Sequence, residues 1–287
     1  MKRRTWLHLS AAFLAGCERS PGSLVSSLRA GPFSVVVPPG WEGDAIVERK
    51  PIKPVYNKEE WAAFRADPAY ALKPDYVNRP EHWALSFPSA ALPGTSSDGV
   101  EAGDSPEAPQ ILIHKAEEWD VVFSDGIHED RPRPETIKRL RSDLDSGIGN
   151  DSAIRSPAFL DASLEFVSSK KVLTFTGGSG IRMICQWSWE PDLIRRGRLH
   201  YLFLGLSEDG TCQIIATFPL DHPDLPSASP DAEHLGRSAI RYEELEKGIS
   251  SYVAEAKAWV AQNTDGFSPS LETLDGVVQS LNAVTWK

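Results

Sequence analysis

The chain has 287 residues, a formal net charge of −10 and 41% hydrophobic residues, nine tryptophans among them. That length supports one large domain or two small ones, and the apolar fraction allows a real core. An acidic surface repels nucleic acid phosphates and anionic lipid heads, which argues against DNA or RNA as a partner.

The chain starts Met1-Lys2-Arg3-Arg4, continues through an apolar run from Trp6 to Ala15, and reaches Gly16-Cys17. A basic start, a short apolar run and small residues after it make a secretory signal. A run of about ten residues is too short for a permanent span, which needs about 20. Leu14-Ala15-Gly16-Cys17 resembles the lipobox of bacterial lipoproteins. The resemblance implies that the Cys17 thiol takes a diacylglycerol, that residues 1–16 are removed as a signal peptide, and that the new amine is acylated with a palmitate-like chain. It places the protein on the bacterial cell envelope, anchored by lipid and facing the periplasm. In enterobacterial members an aspartate after the cysteine retains the protein at the inner membrane, so Glu18 leans toward the outer membrane. The other reading is a signal cut by the ordinary peptidase. Arg3-Arg4-Thr5-Trp6-Leu7 also resembles a twin-arginine export signal, and an ordinary basic start remains open beside it. Removing residues 1–16 leaves 271 residues and takes away Lys2, Arg3 and Arg4, so the mature chain is near −13.

Residues 17–31 read as a flexible tether, and residues 32–287 as a single domain. Phe33, Val35 and Val37 alternate as a strand, closed by Pro38-Pro39-Gly40. Asn57 with Glu60 opens a short helix through Trp61 and Phe64. Residues 67–88 read as ordered loop, and residues 89–109, acidic and poor in large apolar side chains, as a mobile insertion. Ile111-Leu112-Ile113 and Val121-Val122-Phe123 read as strands. Ile137, Leu140 and Leu144 mark a helix starting near Pro134.

Residues 170–218 read as an antiparallel meander: a strand Lys171 to Thr176, a turn Gly177-Gly178-Ser179-Gly180, then strands Ile181 to Trp189, Leu199 to Leu206 and Thr211 to Phe218. Pairing Leu206 with Thr211, and Trp189 with Leu199, puts Met183, Cys185, Trp187, Tyr201, Phe203, Cys212 and Ile214 on one face. Ile184, Leu202 and Ile215 then take the other. A sheet apolar on both faces needs cover on both. Glu244 to Gln262, with Tyr252, Ala256 and Val260 on one stripe, supplies a helix, as does Leu271 to Leu281, capped by Ser270. Two cysteines in an exported chain invite a disulfide. In this register Cys185 and Cys212 stand two strand spacings apart, about 9.6 Å, beyond the reach of about 7 Å between α-carbons. They are expected to be buried, reduced thiols.

Phe33-Ser34-Val35-Val36-Val37-Pro38-Pro39-Gly40-Trp41 resembles the opening strand of the PsbP-like superfamily. The meander around Tyr201 to Leu206, with Asp209-Gly210 and Phe218-Pro219, resembles a group of uncharacterised bacterial lipoproteins, and Phe267 to Leu281 has a counterpart there. The resemblance implies an α+β sandwich, an antiparallel sheet between helices, and a binding or assembly role rather than catalysis. The insertion at 89–109 departs from the compact pattern of that superfamily.

Motifs of catalysis are sparse. Gly177 to Gly180 lacks the Lys-Ser/Thr of a phosphate loop and lies between strands; Ser179 lacks the glycine spacing of a nucleophile elbow. His128-Glu129-Asp130 groups possible ligands, yet no His-Glu-x-x-His or Cys-x-x-Cys spacing occurs, so no metal and no cofactor are expected. His222 and Asp224 could meet His200 at one sheet edge as an acid–base group, or simply close the meander. Trp187 and Trp189 alternate on one strand, as core or as a stacking surface. Trp41, Trp61 and Trp83 fall in or beside loops and are candidates for an exposed binding surface. Arg195, Arg196 and Arg198 form a basic loop that contacts a headgroup or acidic partner, or pairs with local acids. Together these features predict a lipid-anchored envelope protein acting as a binding or assembly module, with a protein partner in the envelope. The alternatives are a hydrolase with a site assembled from loops, and an inhibitor or immunity-type lipoprotein.

Overall fold

The computed structural model describes residues 26–43, 45–52, 66, 79–88, 108–122, 136–146, 163–188, 192–227, 233–235, 242–282 and 286. They form a mixed α/β structure, mostly strand. A ribbon pairs β1 (Ser26–Ala30) with β2 (Phe33–Val37). A seven-stranded antiparallel sheet runs in the order β3-β4-β5-β9-β8-β7-β6 and is open at both edges. Its strands are β3 (Ile46–Lys50), β4 (His82–Ser86), β5 (Gln110–Lys115), β6 (Ser163–Phe175), β7 (Gly178–Ser188), β8 (Leu199–Ser207) and β9 (Cys212–Leu220). Helices are α1 (Glu118–Val122), α2 (Thr136–Ser146), α3 (Tyr242–Gln262) and α4 (Leu271–Gln279).

The meander is present, and its turns follow from local chemistry. At the β8–β9 turn the Asp209 carboxylate accepts from the Ser207 hydroxyl at 2.7 Å and from the Thr211 amide at 3.0 Å. Such an acceptor replaces the backbone partners that a reversing chain loses. The β6–β7 turn is shorter than expected. Gly178, Ser179 and Gly180 join β7, leaving Thr176-Gly177 as the turn. Gly180 is needed there because a Cβ would lie 2.4 Å from Phe203 Cζ. The ring crosses the space a side chain would fill.

The register departs from expectation at both hairpins, with different consequences. Leu206 stands opposite Gln213 rather than Thr211. A slip of two residues keeps every side chain on its face. Cys185 stands opposite His200 rather than Phe203. A slip of three exchanges the faces of β7, since side chains alternate with period two. The cause lies in the connection. Leu193 and Ile194 are buried, and the Ile194 amide donates to the Tyr252 hydroxyl at 2.6 Å. The chain turns into the core there instead of extending the ladder toward Trp189.

One cluster therefore joins Ile184, Tyr201, Phe203, Ile214 and Phe218 to Val35 and Val37 of the ribbon, Tyr252, Ala256 and Val260 of α3, and Leu271, Leu274 and Val278 of α4. The other joins Met183, Cys185, Trp187, Leu202 and Ile215 to Trp119 of α1, with Ile137 and Leu144 of α2 packed against it. Cys185 and Cys212 fall in different clusters, and both are free and buried. The sheet itself separates the two thiols, a firmer barrier than the offset expected from the sequence.

Three further expectations change. Ser26–Ala30, read as tether, is strand β1. Val121-Val122 ends helix α1 rather than starting a strand: the Trp119 amide donates to the Ala116 carbonyl at 3.4 Å, and the Glu118 carboxylate accepts from the Glu81 amide at 2.8 Å. His82–Ser86, read as loop, is strand β4, whose period is obscured by buried His82 and Ser86. The helix expected near Asn57 lies outside the described residues. So does most of the 89–109 insertion, but its last two residues are fixed. Thr217 Oγ1 donates to the Ala108 carbonyl at 3.1 Å and the Phe87 amide to the Pro109 carbonyl at 2.9 Å. Helix α4 is capped as expected, with the Ser270 hydroxyl accepting from the Thr273 amide at 3.1 Å.

Candidate functional site

The arginine loop connects β7 to β8. Arg195 is held to Asp192 and is largely buried, so it belongs to the fold. Arg196 reaches Asp221 at 3.7 Å and donates to the Pro223 carbonyl at 3.1 Å; Arg198 reaches Asp192 at 3.5 Å. Both side chains are 46% exposed. Local acids thus balance the loop. Exposed pairs at these distances are weak and screened, so both guanidiniums can exchange a carboxylate for a phosphate, whose geometry fits their fork.

The tryptophans behave differently. Trp41 is 5% exposed and packs against Phe87 at 5.6 Å and Phe218 at 5.7 Å between ring centroids. It is a core residue, which overturns its expected place on a binding surface. The Pro38–Gly40 turn folds it back over the end of the sheet, with the Trp41 amide donating to the Pro38 carbonyl at 3.2 Å. Trp83 is half-buried against the first cluster. Trp187 is buried and stacks on His200 at 4.2 Å. Trp61, Trp189, Cys17 and His128-Glu129-Asp130 lie outside the described residues.

His200 and His222 do not share a site. His200 faces Trp187, and burial pushes its imidazole down to about 4. His222 meets Trp259 at 5.0 Å and Phe267 at 5.2 Å, and its Nδ1 accepts from the Asp224 amide at 3.1 Å. Among the described residues, no group of three His, Cys, Asp or Glu side chains could hold a metal ion.

Two buried polar groups escaped the sequence reading. The first crosses β4, β5 and β9, where His82, His114 and Gln213 stand in register. The His82 and His114 rings are 4.8 Å apart, and Trp119 Nε1–H donates to Gln213 Oε1 at 2.5 Å. Burial, with the charges of His82 and Arg79, holds His114 well below the usual imidazole range. The second ties α4 to the sheet. The Asp275 carboxylate accepts from Arg182 Nε at 3.1 Å, the Tyr201 hydroxyl at 3.1 Å and Lys171 Nζ at 3.0 Å. Burial and the neighbouring carboxylate push the Tyr201 hydroxyl well above the usual phenol range. Asp275 interrupts the apolar stripe of α4 beside Leu271 and Leu274, which was a readable sign that a cation must face it. The wrong β7 register hid Arg182 on the opposite side.

These features define a mixed α/β chain built on a large open antiparallel sheet, with an arginine loop at one end. Among its described residues no helix is long and apolar enough to cross a membrane. No family model, curated protein or solved structure matches the chain.

Proposed function

We propose that the protein is a lipid-anchored component of the bacterial envelope whose domain is a binding or assembly module, folded as an α+β sandwich of the PsbP-like kind with helices over both sheet faces. The observation that carries the anchor is Leu14-Ala15-Gly16-Cys17, set after a basic start and a short apolar run. The apolar contacts of α3 and α4 on one cluster, and of α1 and α2 on the other, support the sandwich. Support for binding over catalysis comes from how the buried charged groups are used. Asp275, Arg182 and Tyr201 bond to one another, and Arg195 to Asp192, so these groups are engaged in the fold.

A binding module copurifies with something. Detergent-solubilised membranes should yield a stoichiometric envelope protein with the full-length chain, identified by mass spectrometry. Turnover of an ester, amide or phosphate substrate in a broad hydrolase screen, with no partner recovered, would instead establish the enzyme reading.

A further inference from the structure

The end of the sheet that carries the arginine loop is also the end toward which the N-terminal tether leads. Ile46, Ser86, Gln110 and Thr217 align across β3, β4, β5 and β9, and Leu199 pairs with Leu220 farther in the same direction. The loop holding Arg196 and Arg198 leaves β8 from that end. Turns Thr176-Gly177 and Glu208 to Gly210 mark the other. In the ribbon, Ser26 pairs with Val37, and Trp41, four residues on, rests on Phe218. Ser26 also hydrogen-bonds to the Glu42 carboxylate, which ties the first described residue to this turn.

Eight residues separate Cys17 from Ser26. Fully extended, they reach about 30 Å, at roughly 3.3–3.6 Å per residue. The nine residues of β8 span about the same length, at roughly 3.3 Å each. Turning the far end of the sheet to the bilayer would use the whole tether along the side of the domain. Presenting the near end uses little of it.

Resting on the lipid-anchor reading above, we propose that the arginine-loop end of the sheet lies against the membrane, with Arg196 and Arg198 contacting lipid phosphates. Gly197, between Arg196 and Arg198, has φ +79°, and nothing lies within 4 Å of where its Cβ would be, so this point of the loop faces open space. Asp192, Arg195, Arg196, Arg198, Asp221 and Asp224 together carry no net charge. Long-range attraction therefore does not bring the loop to a surface, and an acidic protein would not be steered to it. The tether supplies the proximity instead, raising the effective concentration of phosphate at the loop. At contact, the arginine forks trade loose carboxylate pairs for phosphate oxygens. The negative charge of the chain as a whole makes zwitterionic lipids the better surface.

The test uses the full-length lipidated chain in vesicles of phosphatidylcholine and phosphatidylethanolamine carrying a headgroup nitroxide quencher. One dye-labelled cysteine is placed at exposed Ser227 (S227C), next to the arginine loop, or at exposed Glu208 (E208C), at the far turn. Cys185 and Cys212 are buried and stay unlabelled. The dye at position 227 should be quenched at least about two-fold more than the dye at position 208. Arg196→Ala with Arg198→Ala should reduce that difference while the protein still floats with the vesicles and its buried thiols stay unreactive. Equal quenching at the two positions overturns the proposal, as does a difference that the double substitution leaves unchanged. A difference seen in native membranes but not in these vesicles assigns the contact to an envelope protein and also overturns it. A chain that does not float, with neither dye quenched, removes the anchor reading and the proposal with it.

Discussion

Two parts of the interior accommodate titratable groups by opposite means. On the side of α4, Arg182 and Asp275 are buried as charges and satisfied by each other, by Tyr201 and by Lys171. Elsewhere in the interior His114, His200 and His234 are buried as neutral rings, their imidazoles lowered chiefly by burial. Pairing keeps charges and depends on geometry; neutral burial discards the charge and depends on pH. Removing a partner should therefore damage the first arrangement, and acid should damage the second.

The largest effect is expected from acid. His200 and His234 are pushed from their ordinary value of 6.5 to about 4. Between those values the unfolded chain binds more protons than the folded one, so stability falls as pH drops. The loss approaches about 3 kcal/mol per histidine at pH 4, at 1.36 kcal/mol per unit, and stability is flat above pH 7 with respect to these groups. Urea midpoints between pH 7.5 and 4.5 should track that loss, and His200→Phe, which keeps a ring against Trp187, should remove part of the slope. A midpoint unchanged down to pH 4.5 would show that the histidines are not buried as neutral rings.

The next effect sharpens the paired side. Asp275→Asn leaves the Arg182 guanidinium buried without a counter-charge and should cost about 3–5 kcal/mol. Replacing both partners, Arg182→Met with Asp275→Leu, should recover about half of it, leaving about 1–3 kcal/mol from the unsatisfied Tyr201 hydroxyl. Chemical denaturation of the single and double variants measures this. A double variant no more stable than the single one would mean that the pair does not act as a unit.

The strands and helices were legible where apolar periodicity is clean, in β2, β5, β8, β9, α2, α3 and α4. Strand β4 was not, because His82 and Ser86 are buried polar residues on an otherwise apolar strand. Register was the larger loss. The burial of Leu193 and Ile194 and the room that Gly180 leaves for Phe203 are tertiary facts that decide it, and neither is visible in local alternation. That error also hid the Arg182–Asp275 pair. Trp41 was misjudged because a residue beside a turn can fold back over the core. The arginine loop was legible as a loop, but its pairing with Asp192 and Asp221 was one of two open outcomes. The lipobox proposed at Cys17 is a contiguous stretch of sequence, so reading it draws on no part of the fold.

Everything proposed about where this domain works rests on that cysteine. Metabolic labelling with palmitate, followed by membrane fractionation of the full-length chain and its Cys17→Ser variant, tests it directly. The wild-type chain should take the label and remain with the membrane, and the variant should lose both. A variant that still labels, or that stays equally membrane-bound, would contradict the account.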